Sequence, residues 1–165
     1  EDQVAGLGGA QAGLSAAETG HLVFGTLHSS TVAQTFSRLL EFFPPDDQPR
    51  VRTSLQFNLK AIICQKLLPS IKPNVGRVPA LEIMLVTPHI SKLIELGEEE
   101  RITDALQSGR EEGMMDFNTS LFELIQKGYI SREQLLEIAN HSQQNNYCAY
   151  LRRLAETPQE MLHEL

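Results

Sequence analysis

Cysteines, long apolar runs and leader-like segments are scarce or missing in this sequence of 165 residues, and each absence excludes a class of protein. Its two cysteines, Cys64 and Cys148, are too few for a disulfide framework or a four-thiolate zinc site. No run approaches the roughly 18 to 20 apolar residues that a membrane span needs. No basic and apolar leader opens the sequence. We therefore expect a cytoplasmic protein without direct insertion into a membrane.

Basic side chains are also outnumbered, with 14 Lys and Arg against 21 Asp and Glu. Nucleic-acid binding needs clustered Lys and Arg for phosphate contacts, so we expect no nucleic-acid partner. The charge is uneven, however, because residues 31–80 carry seven basic and three acidic side chains. This basic stretch suits a small phosphate ligand or an acidic neighbouring subunit, and charge alone does not choose between them.

The hydrophobic fraction of 41% fits a globular domain with its own core, and the first 86 residues alternate between helix and strand patterns. Glycine-rich residues 1–13 predict a loop that leads into a short helix from Leu14. The apolar run HLVFGTLH predicts a strand buried on both faces. The other predicted elements are a helix over 32–43 with Thr31 and Gln34 as a capping box, a helix over 49–68, and a strand over 77–86.

From Thr87 onward the pattern is helical throughout. Thr87 and Pro88 form an N-cap followed by proline at the first helical position, and Gly97 ends that helix. Further helices are predicted to follow Asp116, Ser131 (which forms a capping box with Gln134) and the Thr157-Pro158 pair. The sequence thus predicts an α/β core over 1–86 and a helical region over 87–165.

Chemistry is most plausible at the end of the first predicted strand. His28 precedes a helix N-terminus there, and ligands of open α/β sheets collect beyond the carboxyl ends of strands, where free N–H groups favour anions. Ser29, Ser30 and Thr31 would then join His28 in a wall for a phosphate. The alternative is that the hydroxyls only cap the helix and that His28 is an ordinary loop residue.

Other polar residues give weaker signals. His21 and His28 would lie about 23 Å apart along a continuous strand and point to opposite faces, which excludes a shared metal ion. The remaining histidines lack ligand spacing, so we predict no metal site. Glu82 interrupts an apolar strand and needs a partner, because an unpaired buried carboxylate is costly.

Several segments of the sequence resemble a known protein family. These are AAETGHLVFGTLHS (residues 16–29), FFPPDDQPRVRTSL, QKLLP, GRVPALEIMLVTP and GMMDFNTSLFELIQKGYIS. Together they resemble, nearly without gaps over about residues 14–140, the secretion-superfamily ATPases, in particular the type IV pilus retraction (twitching motility, PilT/PilU-type) motors.

The resemblance implies the C-terminal part of a RecA-like P-loop ATPase domain followed by a helical C-terminal subdomain. It implies ATP and Mg²⁺ as cofactors, a homo-hexamer, and a pilus inner-membrane platform protein as partner at the cytoplasmic face of the inner membrane. Residues 18–29 resemble the family's histidine box, in which His28 is the catalytic residue near the γ-phosphate. The other box residues look structural: Glu18, Thr19, Gly20 and His21.

Two departures from the family pattern bear on function. The Walker A loop, Asp box and Walker B carboxylate of the family are not found in this sequence. The family's retraction motif, close to AIRNLIRE, is HISKLIELG here, with its two arginines lost to Ser91 and Leu96. The motif region comprises His89, Ile90, Leu93, Ile94 and Glu95. These departures leave open an alternative, a non-catalytic interaction module or degenerate paralogue that docks on motor or platform proteins.

Overall fold

The computed structural model describes residues 7–135, which contain six helices of defined bounds, four further helical residues at 132–135 and one two-stranded sheet. Short 3-10 turns over Glu99–Arg101 and Arg110–Glu112 flank the fifth helix. The elements in chain order are α1 (Leu7–Glu18), α2 (Val32–Glu41), α3 (Gln48–Asn58), β1 (Ala61–Pro69), β2 (Arg77–Leu85), α4 (Pro88–Leu96), α5 (Ile102–Ser108) and α6 (Phe117–Gln126). Among these described helices none is long and apolar enough to cross a membrane.

The helix α1 begins earlier than predicted, because residues 7–13 are helical and do not form a loop. Glycine disfavours helix by about 1 kcal/mol relative to alanine, which is why the Gly-rich start suggested irregular chain. Packing overrides that preference, since α1 lies against α3 and the Ser54 hydroxyl donates a 2.5 Å hydrogen bond to Glu18 Oε1. Tertiary contacts stabilise most protein helices, and α1 follows that rule.

The prediction of a strand at HLVFGTLH is wrong. Residues 21–28 have no regular secondary structure, and Leu22 and Phe24 are 77% and 89% exposed. A strand buried on both faces needs neighbouring strands and covering layers. In the described range the sheet consists of β1 and β2 only, and neither pairs with this segment.

The predicted helix over 49–68 is correct only as far as Asn58, where α3 ends, and residues 61–69 form the strand β1. Apolar residues of this stretch fit both periods, but in β1 burial alternates with period two. Ile62 and Cys64 are buried, whereas Ile63 and Leu67 are 64% and 55% exposed. The strand β2 agrees with the predicted strand and pairs with β1, so the two form a hairpin.

The described chain divides into two compact units by its internal contacts. The first unit comprises residues 1–65 and 81–116, and its core is formed by side chains that are almost fully buried: Phe36, Met84, Ile90, Ile94, Ile102 and Leu106. The predicted caps of α4 are present, because Thr87 Oγ1 accepts a hydrogen bond from Ile90 N and Gly97 adopts φ 75°. Only glycine takes that left-handed conformation readily.

The second unit comprises residues 66–80 and 117–165. Its described part joins the end of the hairpin to α6, as the Ser70 hydroxyl donates to the carbonyl oxygen of Tyr129 over 3.0 Å. The predicted capping box is confirmed: Gln134 N donates to Ser131 Oγ (3.2 Å), and Ser131 N donates to Gln134 Oε1 (2.9 Å). The predicted Thr157-Pro158 cap lies outside the described residues. The predicted domain boundary after residue 86 remains a prediction.

Candidate functional site

The first residues of the histidine box end α1 and hold its C-terminal turn. Gly20 adopts φ 87°, which favours glycine, and the Thr19 hydroxyl donates to the carbonyl oxygen of Ala16 over 2.9 Å. Because that hydroxyl proton is used, Thr19 Oγ1 accepts from Nδ1 of His21, 3.0 Å away. Glu18 also accepts a hydrogen bond from Ser54 of α3, so these residues are joined to α1 and α3, and their structural role remains a prediction.

His28 lies between the irregular segment and α2, and its side chain is exposed. Its backbone is fixed nonetheless, because the Arg38 guanidinium of α2 donates a hydrogen bond to the His28 carbonyl oxygen. No group of three or more potential ligand residues (His, Cys, Asp or Glu) gathers anywhere in residues 7–135 to hold a metal ion. The site therefore offers an accessible imidazole on a constrained peptide.

Ser29 is tied to the core through a chain of hydroxyl and thiol groups. The Thr35 hydroxyl donates to the carbonyl oxygen of Thr31 over 2.8 Å. Its proton is thereby used, so Thr35 Oγ1 accepts from Ser29 Oγ at 2.5 Å and from Cys64 Sγ at 3.3 Å. Cys64 belongs to β1, so this chain links the peptide after His28 to the sheet.

The N-terminus of α2 is capped by the chain itself. Gln34 N donates to Thr31 Oγ1 over 3.2 Å, as predicted, but the Gln34 side chain accepts from Ser30 N (3.3 Å) and not from Thr31 N. The capping box is thus displaced by one residue. The N–H groups of Ser30 and Gln34 are used internally, which favours the capping role of Ser30 and Thr31 over direct phosphate contacts.

A buried carboxylate completes this helix terminus. Glu82 of β2 is 5% exposed, and its Oε2 accepts a 2.6 Å hydrogen bond from Val32 N, the first residue of α2. A negative charge at a helix N-terminus is stabilised by the helix dipole and by charge-assisted hydrogen bonding. The partner that the sequence demanded for Glu82 therefore includes a helix N-terminus, 50 residues away along the chain.

The retraction-motif region forms α4. Its apolar residues Ile90, Leu93 and Ile94 are buried, whereas His89 and Glu95 are exposed. Placed residue by residue on the motif that it resembles, the first arginine falls on Ser91 as predicted, but the second falls on Glu95, so its assignment to Leu96 is corrected. Glu95 contacts Lys92 Nζ at 3.0 Å and accepts from Gln56 Nε2 of α3 at 3.3 Å. The second replacement therefore reverses the sign of a surface charge.

Arg52 is a residue that reasoning from the sequence did not single out. It lies on α3, donates to the Ile94 carbonyl oxygen at the end of α4, and forms an ion pair with Glu99. Its guanidinium also lies 5.5 Å from the centre of the Phe36 ring on α2. No local motif signals such a residue, because its partners come from three other parts of the chain.

Comparison with known proteins gives consistent likenesses. Residues 4–145 match the family described as Type II/IV secretion system protein. The chain is 43% identical over 126 residues to the Type IV pilus retractation ATPase PilT of Pseudomonas aeruginosa, covering 76% of this chain and 36% of that protein. It is 38% identical over 134 residues to a Twitching motility protein of Neisseria gonorrhoeae, covering 81% and 36% respectively.

Solved structures show the same likeness in three dimensions. The structure of the pilus retraction motor PilT with bound ADP superposes with a TM-score of 0.69 and 32% identity, covering 95% of this chain and 38% of that one. The Legionella pneumophila ATPase DotB gives a TM-score of 0.65 and 27% identity over 80% of this chain and 36% of its own. The chain thus spans about a third of the length of the relatives that it matches.

Proposed function

The chain belongs to the type II/IV secretion system protein family, and we propose that it is the C-terminal part of a hexameric motor ATPase that couples ATP hydrolysis to type IV pilus retraction. The likeness to the retraction motor PilT confirms the predicted fold class, an α/β RecA-like secretion ATPase. The motor and retraction functions in this proposal are taken from the names of the related proteins. The observation that carries it within this chain is the position of His28.

His28 suits a contact with the transferred phosphoryl group. Its imidazole is exposed, while Arg38, Thr35 and Glu82 hold the peptide on either side of it. Phosphoryl transfer depends on positioning and on stabilising the charge that develops on the phosphate oxygens. An imidazole N–H at the edge of the site would supply one such donor. The phosphate contact that we propose is therefore His28 alone, because the Ser29 hydroxyl donates to Thr35, while Ser30 N and Thr31 Oγ1 bond to Gln34 at the start of α2.

The nucleotide and Mg²⁺ need more ligands than this chain offers. A P-loop holds triphosphate through its backbone N–H groups, its lysine and a hydroxyl on Mg²⁺. The printed sequence contains no such loop, and the described residues bring no cluster of carboxylates together. When bound, Mg²⁺ would neutralise phosphate charge, and its ligands would come from residues outside this sequence. We propose that the 165-residue chain by itself does not turn over ATP.

The proposal is tested by measuring ATP turnover of two purified proteins with and without Mg²⁺. The full-length motor that contains this chain is expected to hydrolyse ATP in the presence of Mg²⁺. The 165-residue chain is expected to release no phosphate above background. ATP turnover by the 165-residue chain would contradict the proposal that it needs nucleotide and Mg²⁺ ligands from other residues. An inactive full-length protein would contradict the motor function. The predicted homo-hexamer is checked on the same full-length sample by its mass in solution.

The charge reversal at Glu95 favours a second candidate, an interaction module without catalysis that docks on motor subunits or on the platform protein. Glu95 and Leu96 are exposed on α4, where the family motif has arginine and glutamate. Pilus retraction requires the motor ATPase, whereas an interaction module without catalysis cannot drive it. Full-length protein expressed in a strain lacking its own retraction motor separates them, because restored twitching supports the motor, whereas binding without restored twitching supports the module.

A further inference from the structure

Several hydrogen bonds hold the peptide of residues 28–32, and one of them is accepted directly by a residue of the sheet. Arg38 and Thr35 both belong to α2, so their bonds to His28 and Ser29 move together with that helix. Thr35 also contacts Cys64 of β1 through its side chain, whereas Glu82 of β2 bonds directly to the first backbone N–H of α2. Its 2.6 Å bond to Val32 N therefore fixes the start of α2 relative to the hairpin.

Both ends of this bond are shielded from water. Val32 is 1% exposed and Glu82 is 5% exposed. A buried N–H that loses its acceptor has no solvent to replace it, so the helix start must shift to find another partner. His28 lies four residues before Val32, and such a shift would be passed to its imidazole through a short peptide.

We propose that Glu82 is a positioning residue, which acts through α2 to place His28 against the transferred phosphoryl group. This role rests on the proposed ATPase function. Misplacement of a catalytic group by about 1 Å costs on the order of 100-fold in rate. Nucleotide affinity depends mainly on the P-loop residues and is expected to change little. Glu82 therefore governs the rate of the chemical step and not the binding of ATP.

The experiment uses full-length motor variants at position 82. Glu82→Leu removes the acceptor, whereas Glu82→Gln keeps the shape and an amide oxygen that can accept from Val32 N. We expect Glu82→Leu to lower kcat about tenfold or more with KM for ATP changed less than about twofold, since the lost bond is charge-assisted. Glu82→Gln is expected to retain most of the activity. Glu112→Leu, at an exposed glutamate, is the matched control and should behave as wild type.

A double-mutant cycle with His28→Ala separates positioning from general stability. If Glu82 acts through His28, adding Glu82→Leu to His28→Ala lowers kcat by less than about twofold further. An equal loss in both backgrounds overturns the proposal, because Glu82 would then act independently of His28. An unchanged kcat in Glu82→Leu overturns it as well. If Glu82→Leu does not fold, the exchange of the Val32 N–H in Glu82→Gln decides, because unchanged exchange there overturns the proposal.

Amide hydrogen exchange at Val32 gives a readout that does not depend on turnover. In Glu82→Leu and Glu82→Gln the exchange of Val32 N–H is expected to accelerate, by about tenfold or more in Glu82→Leu. Unchanged exchange in both variants overturns the link between β2 and α2. If the wild-type motor does not hydrolyse ATP, or His28→Ala has no effect, the proposed function fails. That failure is distinct, because accelerated Val32 exchange would still confirm the geometric link.

Discussion

The guanidinium of Arg52 on α3 donates a 3.0 Å hydrogen bond to the carbonyl oxygen of Ile94 in the last turn of α4. Carbonyl groups at a helix C-terminus have no partner within the helix, and a cation there also interacts favourably with the dipole. The same guanidinium pairs with Glu99, which follows the end of α4. Arg52 thereby caps a carbonyl group in the last turn of α4.

Replacing Arg52 by Lys is expected to destabilise the chain although the charge is kept. Nη1 of Arg52 serves both Ile94 and Glu99 while the guanidinium lies 5.5 Å from the Phe36 ring, and a lysine ammonium lacks the planar, pre-organised geometry that combines these contacts. We expect the free energy of unfolding to fall by about 1–3 kcal/mol, measured by urea denaturation followed by circular dichroism. The control is Arg101→Lys, at an exposed ion pair with Glu98, where the change should stay below about 0.5 kcal/mol. Equal losses in both variants would contradict the role of Arg52.

The inward face of the hairpin is tested at Met84. Met84 is fully buried, so Met84→Ala should lower the free energy of unfolding by about 2–5 kcal/mol through lost packing and the cavity that remains. The matched change is Ile63→Ala on β1, where the side chain is 64% exposed and the loss should be small, about 0.5 kcal/mol. A larger effect at Ile63 would show that the strand faces are assigned the wrong way round.

Gly97 is required at the end of α4 by its backbone conformation. Its φ of 75° is strained for any residue with a side chain, so Gly97→Ala is expected to cost about 1 kcal/mol in thermal or urea denaturation. Gly76→Ala is the control, because Gly76 is not among the positive-φ glycines and a Cβ there would meet no atom within 4 Å. A harmless Gly97→Ala would contradict the left-handed cap.

The pKa of Glu133 is lowered by a hydrogen bond from its own backbone and by one from the Ser131 side chain. A carboxyl group whose pKa is lower in the folded state stabilises the fold above its unfolded pKa, and that contribution disappears as the pH falls through the folded value. Ser131→Ala should therefore raise the pKa of Glu133 toward its ordinary value. Titration of the carboxyl carbon by NMR measures this change, and an unchanged pKa would exclude the Ser131 contribution.

His28→Ala in the full-length motor is expected to reduce kcat by about 100-fold, the typical loss when one donor to a transition-state oxyanion is removed. KM for ATP should change little, because the other phosphate ligands remain. The comparison variant is His21→Ala, whose imidazole bonds to Thr19 at the end of α1 and should affect kcat far less. Steady-state phosphate release measures both. Equal effects at the two histidines would assign His28 a structural role.

Local signals were sufficient to predict α4, because a capping threonine, a first-turn proline and a closing glycine lie within eleven residues. They failed at β1. The spacing of the apolar residues between Val51 and Leu68 fits a helix, but residues 61–69 form a strand that pairs with β2. They failed also at residues 21–28, whose strand pattern requires neighbours that residues 7–135 do not provide. Strand pairing and burial depend on residues that are distant in the sequence. Composition and periodicity alone could therefore not distinguish helix, strand and irregular chain in these two segments.

Part of the candidate site could be predicted from the sequence, and part could not. The resemblance of residues 18–29 pointed to His28, and the Thr31 cap followed from its own neighbourhood. The contact between Glu82 and Val32 could not be predicted, since it joins residues 50 positions apart and depends on how β2 and α2 pack. A glutamate within an apolar strand signalled only that some partner exists.

The exposed residues Leu22, Val23 and Phe24 have a practical consequence for handling the isolated chain. Three consecutive exposed apolar side chains form a patch through which two molecules can associate by apolar contact. We expect such association to grow with protein concentration. Charged substitutions at Leu22 or Phe24 would suppress it without touching the packed interior, since both side chains lie on the surface of the described chain.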